Sequence, residues 1–132
     1  MYLNNKILLV GSNRLHSSEF KQRKELKTFL ILPEGDLVEC LPLVDLSISL
    51  AEMFSDIHFV IRLHPITNRL NLLKLRPRLD NFYKNLELSS DSFDNDLERS
   101  DAAIYRGSSS IIKAIQKGLL PIYYDIINQP NI

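Results

Sequence analysis

Short apolar runs alternate along this chain with segments of helical spacing, and the two periods divide it into a βα series. Residues 6–12, KILLVGS, are rich in leucine and valine and end at Gly11, so they predict a first strand. Residues 13–27 are polar and charged and predict a loop with a solvated helical turn. TFLILPEG, 28–35, is a second strand closed by Pro33 and Gly35. Leu43, Leu46, Leu50, Met53 and Phe54 then recur at helical spacing. Proline is tolerated in a helix's first turn, so the regular helix is expected to begin near Pro42.

IHFVIRLHP, 57–65, is a nearly continuous apolar run that Pro65 stops, the signature of a strand buried on both faces of a parallel sheet. In 66–84, Leu70, Leu73 and Leu79 suggest a helix that Pro77 interrupts. A short fourth strand (85–89), a Ser- and Asp-capped short helix (90–101), a fifth strand (102–107), a helix (108–119) and a sixth strand (120–126) complete the series. No internal repeat or low-complexity segment interrupts it. The alternation predicts an α/β fold, a Rossmann-like open and mainly parallel sheet with helices on both faces.

Composition bounds the function. At 132 residues the chain is one domain's worth, long enough to bury a real core. Sixteen basic and 16 acidic residues balance, which argues against a nucleic-acid surface and leaves only local charge clusters to consider. The single cysteine, Cys40, excludes an internal disulfide and a cysteine-based zinc cage; in an apolar helical stretch it reads as a buried small hydrophobe. No metal site is expected. The start, MYLNNKILLV, lacks a signal-peptide pattern and no 18-residue apolar run occurs, so the expected location is cytoplasmic with no membrane span.

In open parallel sheets ligands bind outside the carboxyl ends of the strands. The tips there are PEGD (33–36), RLHP (62–65), RGSSS (106–110) and YYD (123–125). At the serine tip, Gly107 lets the backbone approach a ligand, Ser108, Ser109 and Ser110 bring hydroxyls to a helix start, and Arg106 adds a full charge; together they suit a phosphate. The competing reading is an ordinary serine cap. His64 ends a buried strand with Pro65 fixing the turn after it, and Arg62 falls on the same strand face. His16 and His58 have no such company and receive no role. Asp36 suits a helix N-terminus; Glu34 and Glu39 stay open between a sugar hydroxyl, a base role and the helix end.

In this order PEG…E, RLHP and GSSS…A…G…P, with ERSDAAIYRG and KGLLPIYY between and after, resemble the C-terminal half of GT-B-type bacterial surface-polysaccharide glycosyltransferases. The likeness is to the capsule, sialyl- and polysialyltransferase-like group, and covers roughly residues 28–126. It implies that His64 and Pro65 contact the nucleotide of an activated sugar, CMP- or UDP-linked. Ser108 and Ser109 would hold its phosphate, with His64 as the catalytic group that stabilises the leaving phosphate. Glu34 and Gly35 match an acid-Gly element near the donor, with Glu39 beside them. Where related helices carry a glutamate near position 113, this chain has Lys113, which weakens sugar recognition there.

The resemblance divides the chain into 1–27, a linker or return strand from an N-terminal half, and 28–132, the nucleotide-sugar-binding half. It implies partners: a nucleotide-sugar, an acceptor-binding domain or chain, and a glycan acceptor, with the complete enzyme peripheral at the inner membrane. Alone, this chain is not expected to catalyse transfer, and no cofactor is expected. The alternatives are a sugar-nucleotide epimerase-type half domain and a non-catalytic, degenerate binding module. A phosphoacceptor receiver domain is rejected, because VGSNR after the first strand offers no acidic pair.

Overall fold

The computed structural model of the chain describes residues 7–9 and 25–125. Its elements follow in the order β1 (Ile7–Leu9), β2 (Thr28–Leu32), α1 (Leu37–Met53), β3 (His58–Ile61), α2 (Arg69–Leu75), β4 (Leu86–Leu88), α3 (Phe93–Arg99), β5 (Ala102–Tyr105), α4 (Ile111–Gln116) and β6 (Leu120–Tyr124). A 3-10 turn, Pro77–Leu79, follows α2. Most of the segment 13–27, with His16, lies outside the described residues, as does Ile126 beyond β6.

The strands form one sheet in the order β1-β6-β5-β2-β3-β4. Five are parallel; β1 joins the β6 edge antiparallel, with Ile7 opposite Tyr124. From β2 the chain winds outward through β3 to β4, then crosses back to β5 on the other side of β2 and continues to β6. The direction of winding therefore reverses between β2 and β5, the switch point where doubly wound sheets leave a crevice.

Alternation along the strands builds two cores. Phe29, Ile31, Phe59, Ile61, Ala102 and Ile104 pack against Cys40, Leu43, Val44 and Leu50 of α1 and Leu72 of α2. Leu30, Leu32, Val60 and Ala103 face the other way, against Leu97 of α3 and Ile111 and Ala114 of α4. The predicted α/β sheet with helices on both faces is the observed one. Cys40 is fully buried as expected, and burial pushes its thiol pKa up.

Several boundaries differ from expectation for identifiable reasons. Helix α1 starts at Leu37, not near Pro42, because Asp36 caps it, its carboxylate accepting the Glu39 N–H at 3.2 Å. Pro42 lies inside the helix, where its ring removes only the N–H that would have bonded Val38, a residue 73% exposed. In the next segment Leu72, not Leu70, is the buried position of α2; Leu70 is 70% exposed. Strand β3 stops at Ile61, and Arg62 to Pro65 form its tip. The helix predicted over 108–119 is shorter, with 108–110 in the turn leading into it.

Asn85 ties the end of α1 to the start of β3. Its amide nitrogen donates to the carbonyls of Ala51, Phe54 and Ile57 at 2.9–3.0 Å, so two hydrogens serve three acceptors. At the same end of the sheet Asp101 accepts the N–H groups of Lys27 and Thr28, anchoring the start of β2.

Candidate functional site

The carboxyl tips of β2, β3 and β5 meet at the switch point. A cleft of about 120 Å³ is lined there by Leu32, Pro33, Arg62, Leu63, His64, Pro65, Phe93, Ser108 and Ser110. His64 and Ser108 therefore share one crevice, although 44 positions separate them in the chain.

The β3 tip is a hydrogen-bonded turn. Thr67 N–H donates to the His64 carbonyl at 2.9 Å, with Pro65 at the position that favours its fixed φ. The Ile66 N–H donates to His64 Nδ1 at 3.2 Å, so a neutral ring carries its proton on Nε2. Gly35 lets this turn approach β2. A Cβ at 35 would stand 2.7 Å from Ile66 Cδ1 and 3.0 Å from His64 Nδ1, and Thr67 Oγ1 donates to the Gly35 carbonyl at 2.8 Å.

Arg62 lines the cleft but is tethered. Its Nη1 donates to the Asp91 carbonyl at 2.7 Å and to Asp96 Oδ2 at 3.1 Å, and its guanidinium lies 5.1 Å from the centre of the Phe93 ring. Asp96, fully buried, also accepts from Ser89 Oγ at 2.5 Å and Arg99 Nη2 at 2.9 Å. Arg99 continues to Glu87, whose Oε1 meets His58 Nε2 at 2.7 Å. Burial alone would push the Glu87 carboxyl up, but hydrogen bonds from Arg99 and His58 hold it below its usual range. His58 therefore has the company the sequence did not reveal, since its partner lies 29 residues away.

The three serines part ways. Ser108 Oγ accepts the Ser110 N–H at 3.2 Å, so it caps the turn and also faces the cleft. Ser110 lines the cleft without a side-chain cap bond, and Ser109 is exposed outside it. The helix that follows has six residues, so its dipole adds little and the hydroxyls carry most of the polarity. Lys113 pairs with Asp94 at 2.9 Å, and its ammonium lies 5.4 Å from the centre of the Phe93 ring.

Arg106 and Gly107 serve a second locus at the same edge. Arg106 turns toward α1: Nη1 donates to the Glu39 carbonyl at 3.4 Å, and Nη2 lies 3.5 Å from Glu34 Oε2. Glu34 lies across Gly107, where a Cβ would stand 2.8 Å from Oε2. Its other oxygen, Oε1, is buried and has no hydrogen-bond partner among the described residues. Burial pushes the Glu34 carboxyl above its ordinary pKa; Arg106 pulls against this and Glu39 adds to it. Glu39 contributes its backbone here, while the residue itself is exposed.

Among the described residues no group of three or more His, Cys, Asp or Glu is placed to hold a metal ion, and no helix is long and apolar enough to cross a membrane. Compared with protein-family models and with curated proteins, the chain matches none.

Proposed function

We propose that this domain is the donor-binding half of a glycosyltransferase of surface-carbohydrate synthesis, holding a nucleotide-activated sugar at the switch-point cleft. The observation that carries this reading is the convergence of the His64 tip and the Ser108–Ser110 turn on one crevice. Both tips bring polar groups to strand ends, where open parallel sheets bind their ligands.

In this reading Ser108 and Ser110 donate to the donor's phosphate, and the Nε2–H of His64 adds a donor as negative charge builds there. The bond between the sugar's anomeric carbon and the phosphate oxygen breaks. The acceptor hydroxyl oxygen bonds to that carbon and gives up its proton to a base on the second domain or chain that holds the acceptor, and the nucleoside phosphate leaves. Preorganised donors aimed at the leaving group lower the barrier because they need no reorganisation when charge develops. The cleft, about 120 Å³, is well below the roughly 300–1,000 Å³ of pockets that enclose a whole ligand. It suits a phosphate, with the nucleoside, the sugar and the acceptor held partly by a second domain or chain.

A binding module without catalysis is the second reading. Lys113 favours it, because Asp94 holds that side chain in place of a group that could accept from a sugar hydroxyl.

Titration of the chain with CMP, CDP and UDP, followed by amide NMR shifts, tests the proposal. Shifts concentrated at 62–65 and 106–111 are expected, strongest for the nucleotide whose base matches the donor. Shifts elsewhere, or none at millimolar nucleotide, would overturn it for this domain.

A further inference from the structure

We infer that Glu34 is a built-in occupant of an anion seat formed by Arg106 and the Gly107 backbone, and that a phosphate group entering this seat displaces it. The inference rests on the phosphate reading of the β5 tip and adds how access to that tip is controlled.

The seat has the chemistry of an oxyanion site. The Arg106 guanidinium and Gly107, whose missing Cβ permits close approach, both border the same Glu34 oxygen, at the sheet's switch point. Glu34 fills it badly. Its contact to Arg106 is 3.5 Å, whereas charge-assisted N–H···O bonds run roughly 2.7–2.9 Å. Its second oxygen is closed off from solvent with no donor among the described residues, an arrangement that disfavours the ionised form. A tetrahedral dianion could take both Arg106 N–H groups and would leave no carboxylate oxygen stranded.

Displacement has a proton consequence. The charged and titratable groups facing Glu34 are Arg106 from the β5 tip and Glu39 and Cys40 from α1, while His64 of the β3 tip lies against its neighbour Gly35, 3.0 Å from where a Cβ would stand. Arg106 is the cation that opposes the upward push of burial on Glu34. Once an anion claims Arg106, Glu34 loses that counter-charge and gains a negative neighbour. Anion binding therefore favours proton uptake from solvent onto the Glu34 carboxylate. The sign follows: affinity rises as pH falls toward the raised Glu34 pKa, and the dependence disappears when the carboxylate is removed.

Sulfate is the probe, since its charge does not change near neutral pH. Its binding is measured by NMR on the wild-type chain and on Glu34→Gln from about pH 8 to about pH 5.5. Glu34→Gln is expected to bind about tenfold tighter at the upper end, the effect of removing one nearby like charge. Its shifts should centre on 106–108 and be independent of pH. Wild-type affinity should climb toward that value on acidification, and Arg106→Gln should abolish binding in either background.

Equal affinity of wild type and Glu34→Gln overturns the inference, as does a pH dependence that persists in Glu34→Gln, which cannot come from that carboxylate. If Glu34→Gln folds poorly, the wild-type pH series and its loss in Arg106→Gln decide alone. Nucleotide shifts at 62–65 with no sulfate effect of Glu34→Gln would sink this inference and keep the donor-site reading. Tighter sulfate binding in Glu34→Gln without nucleotide shifts at 62–65 would do the reverse.

Discussion

Under α1 and α2 the sheet is apolar from β4 across to β6; under α3 it is not. The first face packs Phe29, Ile31, Phe59 and Ile61 against two helices through Cys40, Leu43, Val44, Leu50, Ala51 and Leu72. The second has an apolar centre beneath α4, but toward β4 it gives way to His58, Glu87, Arg99, Asp96 and Arg62. The network on this face begins where β3 begins and ends in the wall of the cleft. One face supplies cohesion, and the other converts part of its packing into a fixed orientation for Arg62 and Phe93. Replacing a buried ion pair by packed apolar residues is often neutral or stabilising, so the value of the network around Asp96 lies in where it holds those groups.

Substitutions on the two faces sharpen this contrast. Phe59→Ala, removing a ring that is 1% exposed and 5.6 Å from that of Phe29, should cost about 3–5 kcal/mol in chemical denaturation. Its effect should be global and leave the cleft geometry alone at temperatures where the protein is folded. Asp96→Ala should cost about 3 kcal/mol, the low end for a broken buried pair, because both arginines keep water on one side. Unlike Phe59→Ala, it should also shift the amides of 62–64 in the folded protein. A change confined to α3 would mean that the network does not position the cleft. Lys113→Ala, which breaks an exposed contact to Asp94, should leave the denaturation midpoint unchanged within error. A loss comparable to that of Asp96→Ala would erase the distinction between buried and surface charge on this face.

How much of this was legible in the sequence depends on the range of the interaction involved. The strands were readable because a parallel sheet covered on both sides demands continuous apolar runs, and TFLIL and HFVI are such runs. Caps were readable too, Asp36 and Ser92 being short-range devices. The start of α1 departs from the expectation near Pro42 because the proline rule competes with the Asp36 cap, and the cap prevails near a helix end. His58 and Glu87 could not be paired from spacing alone, since only the register of β3 against β4 brings them together. The position of Glu34 over Gly107 is of the same kind: 73 positions apart in the chain, they meet because β2 and β5 are neighbours. The serines were visible as a cluster, but how the turn divides them between capping, cleft and solvent is a matter of backbone geometry.

Strand β4 has three residues, and its central one is Glu87, held on the α3 face by Arg99 and His58. It closes the parallel side of the sheet. A longer, apolar strand in that place would offer a row of unpaired backbone groups to any extended segment, including another copy of this chain. Brevity and a fixed charge make β4 a poor template for such pairing. The ion network that orients the cleft thus also helps keep the sheet from growing, and protects the protein against association through its edge.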